Sequence, residues 1–178
     1  MMLNGALDAI AARMAQAFPA LKTCEVHAGR FDADELARIS ARVPALFVSC
    51  LGFQKVTNAG TEQADADAAL AVFVLLGSTP GLPRDVAARN MVEALVVLIQ
   101  NERWGLSGCG EAREIRAENL YGGKIDAQGV ALWAVSWRQV LRLGAPCFDE
   151  SGTMPSHLYL GIDPDIGPDH VDDYLEVT

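Results

Sequence analysis

The chain carries four cysteines, Cys24, Cys50, Cys109 and Cys147, and three histidines, His27, His157 and His170. Their spacing decides what chemistry they could share. No two cysteines form a CxxC pair and the histidines are scattered, so the chain shows no zinc-ligand pattern. Asp163-Pro164-Asp165 looks like the start of a calcium loop. The loop pattern then fails, because Gly167, Pro168 and Tyr174 stand where it needs an oxygen ligand, a glycine and a bidentate glutamate. A solvated acidic segment is the plainer reading. For nucleophilic chemistry there is no G-x-S-x-G elbow, no S-x-x-K and no H-E-x-x-H. Ser107 and Cys109 sit among Gly105, Gly108 and Gly110. No Lys-Ser/Thr follows them, and the stretch leaves a helix instead of entering one, so it does not read as a phosphate cradle. Cys109 is either a reactive thiol or an ordinary thiol in a flexible loop.

Two pairs stand out for recognition. Trp133 and Trp137 fall on one face of an apolar run. Exposed, they would stack bases or sugars; within a strand, they fit core packing or a subunit interface. Arg84 and Arg89 open the longest helical segment, where they form either a solvated face or a cationic pair for a partner's acids. No residue is assigned as catalytic, as a metal ligand or as a cofactor contact.

The net charge of −9 is unevenly spread. Residues 1–142 hold all 14 basic and 15 of the 23 acidic side chains, whereas residues 143–178 hold 8 acids and no Lys or Arg. A nearly neutral domain with an acidic tail lacks the basic footprint of sequence-specific nucleic-acid binding. The longest apolar run, 68–76, is too short to span a bilayer, which argues against a membrane partner. The N-terminus has no basic region and Asp8 interrupts its apolar stretch, so it does not read as a signal peptide; reduced thiols in a cytosol are expected.

The elements that must position these residues follow from periodicity. Leu3, Leu7, Ile10, Met14 and Phe18 make one apolar helical stripe that Pro19 ends. A short strand is expected within 21–28, and a second helix from Asp32, with Leu36 and Ile39 inward, ending before Pro44. Residues 45–53 read as a buried strand, the polar stretch 58–67 as a loop, and 69–77 as a strand pairing antiparallel with the one before. Pro83 suits the first turn of a long helix reaching about Asn101, with Met91, Leu95, Leu98 and Ile99 inward. A loop at 105–110 precedes a strand over 111–120, with Ile115 and Ala117 inward, and a turn at 121–124. The run 129–143 is apolar on both faces and reads as a central strand. Residues 144–178, with four prolines and four glycines, read as an extended arm. The expected fold is α+β, a mostly antiparallel sheet with helices on one face over 1–143, plus the acidic C-terminal arm over 144–178. Leu158, Tyr159, Leu160, Tyr174 and Leu175 are the arm's candidate apolar anchors.

Several runs carry a likeness: Pro44-Ala45-Leu46-Phe47-Val48, Leu70-Ala71-Val72-Phe73-Val74-Leu75, Arg89-Asn90-Met91-Val92-Glu93-Ala94-Leu95, Ile115-Arg116-Ala117-Glu118-Asn119-Leu120-Tyr121 and Gly129-Val130-Ala131-Leu132-Trp133-Ala134-Val135-Ser136-Trp137. With the order of elements, they resemble the tail terminator family of long-tailed phages, in its Mu-like branch. The resemblance implies a hexameric ring of identical copies that caps the tail tube protein, ends its polymerisation and offers a surface to head-completion proteins. It implies no catalytic residue and no cofactor, a place in the virion tail, and assembly in the bacterial host cytoplasm. The alternatives are another head–tail joining protein, or a small ligand-binding protein or enzyme.

Overall fold

The computed structural model describes residues 2–29, 38, 40–60, 62–120, 122–145, 147, 157–164 and 166–177. The chain divides into two compact units, Met1–Cys147 and Phe148–Thr178.

In the first unit, helix α1 (Met2–Ala17) buries Leu7, Ile10 and Met14, and the backbone closes with Phe18 N–H on the Met14 carbonyl just before Pro19. Strand β1 (Thr23–Val26) follows. It runs parallel to β2 (Ala45–Asn58), with Cys24 opposite Leu46. Strands β3 (Ala64–Gly77), β4 (Arg113–Asn119) and β5 (Val130–Leu143) complete a five-stranded sheet of order β1-β2-β3-β5-β4, antiparallel except at β1. Helix α2 (Arg84–Asn101) begins after Pro83, whose carbonyl accepts from Val86 and Ala87, and buries Ala88, Val92, Leu95 and Ile99. A short helix α3 (Gly123–Ala127) precedes β5. The fold is therefore α+β with a mostly antiparallel sheet, as the periodicities predict.

Alternation along the strands splits the sheet into two faces. One face holds Leu46, Val48, Leu70, Val72, Val74, Val135, Trp137 and Leu141, and α1 and α2 cover it. Full burial of each large aliphatic side chain there contributes roughly 1.5–3 kcal/mol. The other face is apolar only over half its length, where Phe47, Phe73, Leu75 and Leu132 are packed by Val43, Leu120 and Ile125. Arg42 lies 5.8 Å from the Phe47 ring centre while its guanidinium holds Glu25 through two 2.7 Å bonds.

Several expectations are corrected. The polar stretch 58–67 is not a loop: β2 continues to Asn58 and β3 starts at Ala64, so the turn is confined to residues 59–63. The sequence Ala64-Asp65-Ala66-Asp67-Ala68 alternates with period two, which a reading by composition misses. Ala117 is exposed instead of inward, because β4 is an edge strand that α2 only partly overhangs. Gly123 and Lys124, expected in a turn at 121–124, are the first residues of α3; Tyr121 lies outside the described residues. Within α2, Val92 and Ala88 take the fully buried positions, while Met91 and Leu98 are half-buried. Of the second helix, residues 38 and 40 are helical; Asp32, Leu36 and Ile39 lie outside the described residues.

In the second unit, β6 (Leu158–Leu160) and β7 (Leu175–Val177) pair antiparallel, with a 3-10 helix (Pro168–Asp173) between them. The segment read as extended thus folds back on itself. Tyr174 steadies the return: its hydroxyl accepts from Gly167 N–H at 2.8 Å, and its ring lies so close to Gly161 that a Cβ there would fall 2.8 Å from it.

Candidate assembly surfaces

The loop joining α2 to β4 is pinned to the sheet. Gln139 is fully buried, and its Oε1 accepts from Trp104 Nε1 at 2.8 Å and Trp137 Nε1 at 3.0 Å. Its Nε2 donates to the carbonyls of Gly110 at 2.8 Å and Glu102 at 3.2 Å. Cys109 forms an isolated bridge with Leu141 and is buried, so it is not a flexible-loop thiol. Desolvation pushes its thiol up to about 11, away from the thiolate a nucleophile needs. Burial does the same to Cys24, also to about 11.

The uncovered half of the second sheet face carries a charge ladder. Arg142 grips Asp65 through bonds of 2.8 and 2.9 Å. Arg138 reaches Asp67 at 2.6 Å and Glu114 at 3.4 Å, and Arg113 reaches Asp67 at 3.3 Å. Its hydrogen bonds to Arg142 hold the Asp65 carboxyl below the usual carboxylate range, and the same contact raises Arg142. Composition alone does not reveal the ladder, because its acids lie in the polar stretch 58–67. The signal that could have found it is Asp at 65 and 67 against Arg at 138 and 142, all at period-two positions.

Beside it runs a bare rim. A register shift between Cys50 and Gly52, where Gly52 takes φ 128°, leaves Leu51 55% exposed. Phe53 at 40% and Val56 at 56% continue the rim toward the hairpin tip.

The sequence-chosen residues are dispersed. Trp137 lies in the core at 1% exposure, bonded to Gln139, whereas Trp133 is half-buried against the helices. Arg84 is half-buried in the first turn of α2 and Arg89 is exposed on the same helix. The ribbon brings the arm's anchors together: Leu160 pairs with Leu175 and Tyr159 with Glu176. Tyr159, Leu160 and Leu175 are exposed, and Tyr174 is half-buried. Leu158 pairs with Val177 through the backbone. The His157 ring stacks on Tyr159 and its Nδ1 contacts Glu176.

An apolar groove of about 590 Å³ lies where α1, α2 and the end of β3 meet, lined by Phe18, Pro44, Leu76, Leu82 and Met91 among others. Lys22, Ser78, Thr79 and Asn90 bring polar groups to its lining, and among the described residues no carboxylate, histidine or cysteine does. Among the described residues no group of three or more His, Cys, Asp or Glu could hold a metal ion, and no helix is long and apolar enough to cross a membrane.

What distinguishes this domain is its edges, its charged sheet face and its exposed apolar rim. The family to which the chain belongs makes it a phage structural protein. Residues 2–141 match the family model described as Bacteriophage Mu, Gp37, and the chain belongs to that family. No curated protein matches it.

Proposed function

We infer that the protein is a tail terminator: copies of it close into a hexameric ring on the finished tail tube, stop its growth and present a surface to the head-completion proteins. The carrying observation is a sheet that, among the described residues, has an unpaired strand edge at each end, β2 beyond Leu51 and β4, in a member of the Mu Gp37 family. Closed rings are built from two different surfaces of one subunit, and this sheet offers two. The role is assembly without catalysis or cofactor, in the virion tail, after synthesis in the host cytoplasm. The partners are further copies of the chain, the tail tube protein and a head-completion protein.

The C-terminal unit serves as an anchor in this reading. Tyr159, Leu160 and Leu175 stand exposed on one small ribbon and supply apolar contact, while the surrounding acids meet basic groups of a neighbour. Exposed Arg89 and half-buried Arg84 and Trp133 are the remaining accessible candidates on the first unit.

The test is assembly. A phage lacking the protein is expected to make tails of uncontrolled length, and adding it back to purified tubes is expected to cap one end, seen by electron microscopy. Tails of normal length without the protein would overturn the terminator reading. Truncation after Cys147 is expected to leave the first unit folded and to weaken capping in a salt-dependent way.

A further inference from the structure

We propose that adjacent copies join edge to edge in one continuous sheet. The outer side of β2 from Gln54 to Asn58 pairs antiparallel with the outer side of β4 of the next copy from Ile115 to Asn119, with Lys55 opposite Glu118. The proposal rests on the ring reading above and specifies its interface.

Among the described residues neither edge is paired. β1 ends at Val26, opposite Val48, and no described strand pairs with the outer side of β2 beyond that point. β4 pairs with β5 on one side, and no described strand lies on the other. Residues 53–58 are all exposed, and so are Arg116, Ala117, Glu118 and Asn119. Unpaired backbone groups in such a row are a template for another strand, and the exposed Phe53 and Val56 do nothing to discourage it.

The topology makes the two edges compatible. β2, β3, β5 and β4 are neighbours in that order, and each pairing among them is antiparallel. β2 and β5 therefore point one way, and β3 and β4 the other. If the sheet is repeated side by side without being turned over, β2 of one copy meets β4 of the next as an antiparallel neighbour. Each face also continues into the same face. Lys55 shares its cross-strand row with Val140 and Glu118 shares its row with Ala134, six residues away on β5, so the operation that does this is a rotation about an axis inclined to the strands, which closes a ring of identical contacts.

The side chains choose the register. Lys55 lies opposite Asp67 and Thr57 opposite Asp65, so both stand on the charged face. Arg116 lies opposite Ser136 and Glu118 opposite Ala134, on that same face, while Val56 and Ala117 stand on the helix-covered face. Setting Val56 opposite Ala117 puts Lys55 opposite Glu118 and Thr57 opposite Arg116. A slip of two residues one way sets Lys55 against Arg116, like against like; the other way carries Lys55 past Asn119, the end of β4. The charges agree with this choice. Asp65, Asp67, Arg138 and Arg142 are paired within the subunit, whereas Lys55 and Glu118 make no ion pair with any described residue.

The experiment uses the full-length protein, alone and with tail tubes of its phage, read by light scattering and electron microscopy. Lys55→Glu and Glu118→Lys are each expected to lose rings, and the double reversal to regain them. Circular dichroism melts check that all three variants are folded. In a Cys147→Ser background, Lys55→Cys with Glu118→Cys is expected to give, on oxidation, a ladder of covalent oligomers, where either cysteine alone gives no more than a dimer. If the wild type forms rings and the single reversals form them equally well, or the cysteine pair yields no ladder, the edge pairing is overturned while the ring reading stands. If the wild type stays monomeric even on tail tubes, both fall.

Discussion

Trp104 and Gln139 are 35 positions apart, yet the indole Nε1 of Trp104 donates to Gln139 Oε1 at 2.8 Å inside the core. Trp137 donates to the same oxygen, and the amide nitrogen holds the carbonyls of Glu102 and Gly110. One side chain thus satisfies two indoles and two backbone groups, and fastens the segment after α2 to β5. Gln139→Leu orphans both indole N–H groups and the Glu102 carbonyl, and leaves the Gly110 carbonyl only the Cys109 thiol at 3.7 Å. Each buried orphan costs about 1–3 kcal/mol, so a loss of about 3 kcal/mol or more is expected. In a domain of this size that lowers Tm by roughly 6–12 °C, measurable by calorimetry. A melt unchanged by the substitution would contradict the network.

The two faces of α2 give a contrasting pair. Leu95 is fully buried and Val97 is 60% exposed, two positions apart. Leu95→Ala is expected to destabilise by about 2–5 kcal/mol in denaturant titration. Val97→Ala is expected to stay within about 0.5 kcal/mol. Equal effects would mean that the helix is rotated from the orientation described.

Acid should weaken the fold through two carboxylates. Hydrogen bonds from Arg142 lower Asp65, and hydrogen bonds from Arg42 lower Glu25. A carboxyl depressed in the folded state stabilises above its unfolded pKa, and that contribution is lost as pH falls through the folded value. The loss should therefore begin below about pH 4.5 and deepen toward pH 3. Arg142→Gln should flatten part of this dependence. An identical slope of stability against pH in the variant would count against the Asp65 contact.

Thiol reactivity should rank by exposure. Cys147 is exposed and is expected to react at once with an aromatic disulfide reagent at pH 8. Cys24 and Cys109, both pushed up to about 11 by burial, should react only on unfolding. Prompt reaction of all four in the native protein would show that the segment around Cys109 opens freely.

How much of this was legible in the sequence follows from how local each cause is. The helical stripe of α1, the stop at Pro19 and the start of α2 at Pro83 rest on neighbours within one turn, and the structure has all three. The doubly apolar run of β5 had to lie inside a sheet, and it does, between β3 and β4. The absence of any catalytic motif and the imbalance of charge needed no coordinates either.

Only tertiary structure decided the rest. Alternating Ala and Asp over 64–68 is loop-like in composition; it becomes strand because Arg138 and Arg142 stand across from it and neutralise it. Trp133 and Trp137 share a face and differ in exposure, because burial depends on which helix residues lie above each, and those arrive from far along the chain. Gln139 is an out-of-place polar residue in an apolar strand until Trp104 and two distant carbonyls surround it. The bare edges likewise exist only once strand order is set, since an edge is a property of what does not pair. Periodicity acts over a few residues and is written in the chain; partners, edges and exposure are long-range and appear only when the sheet has closed.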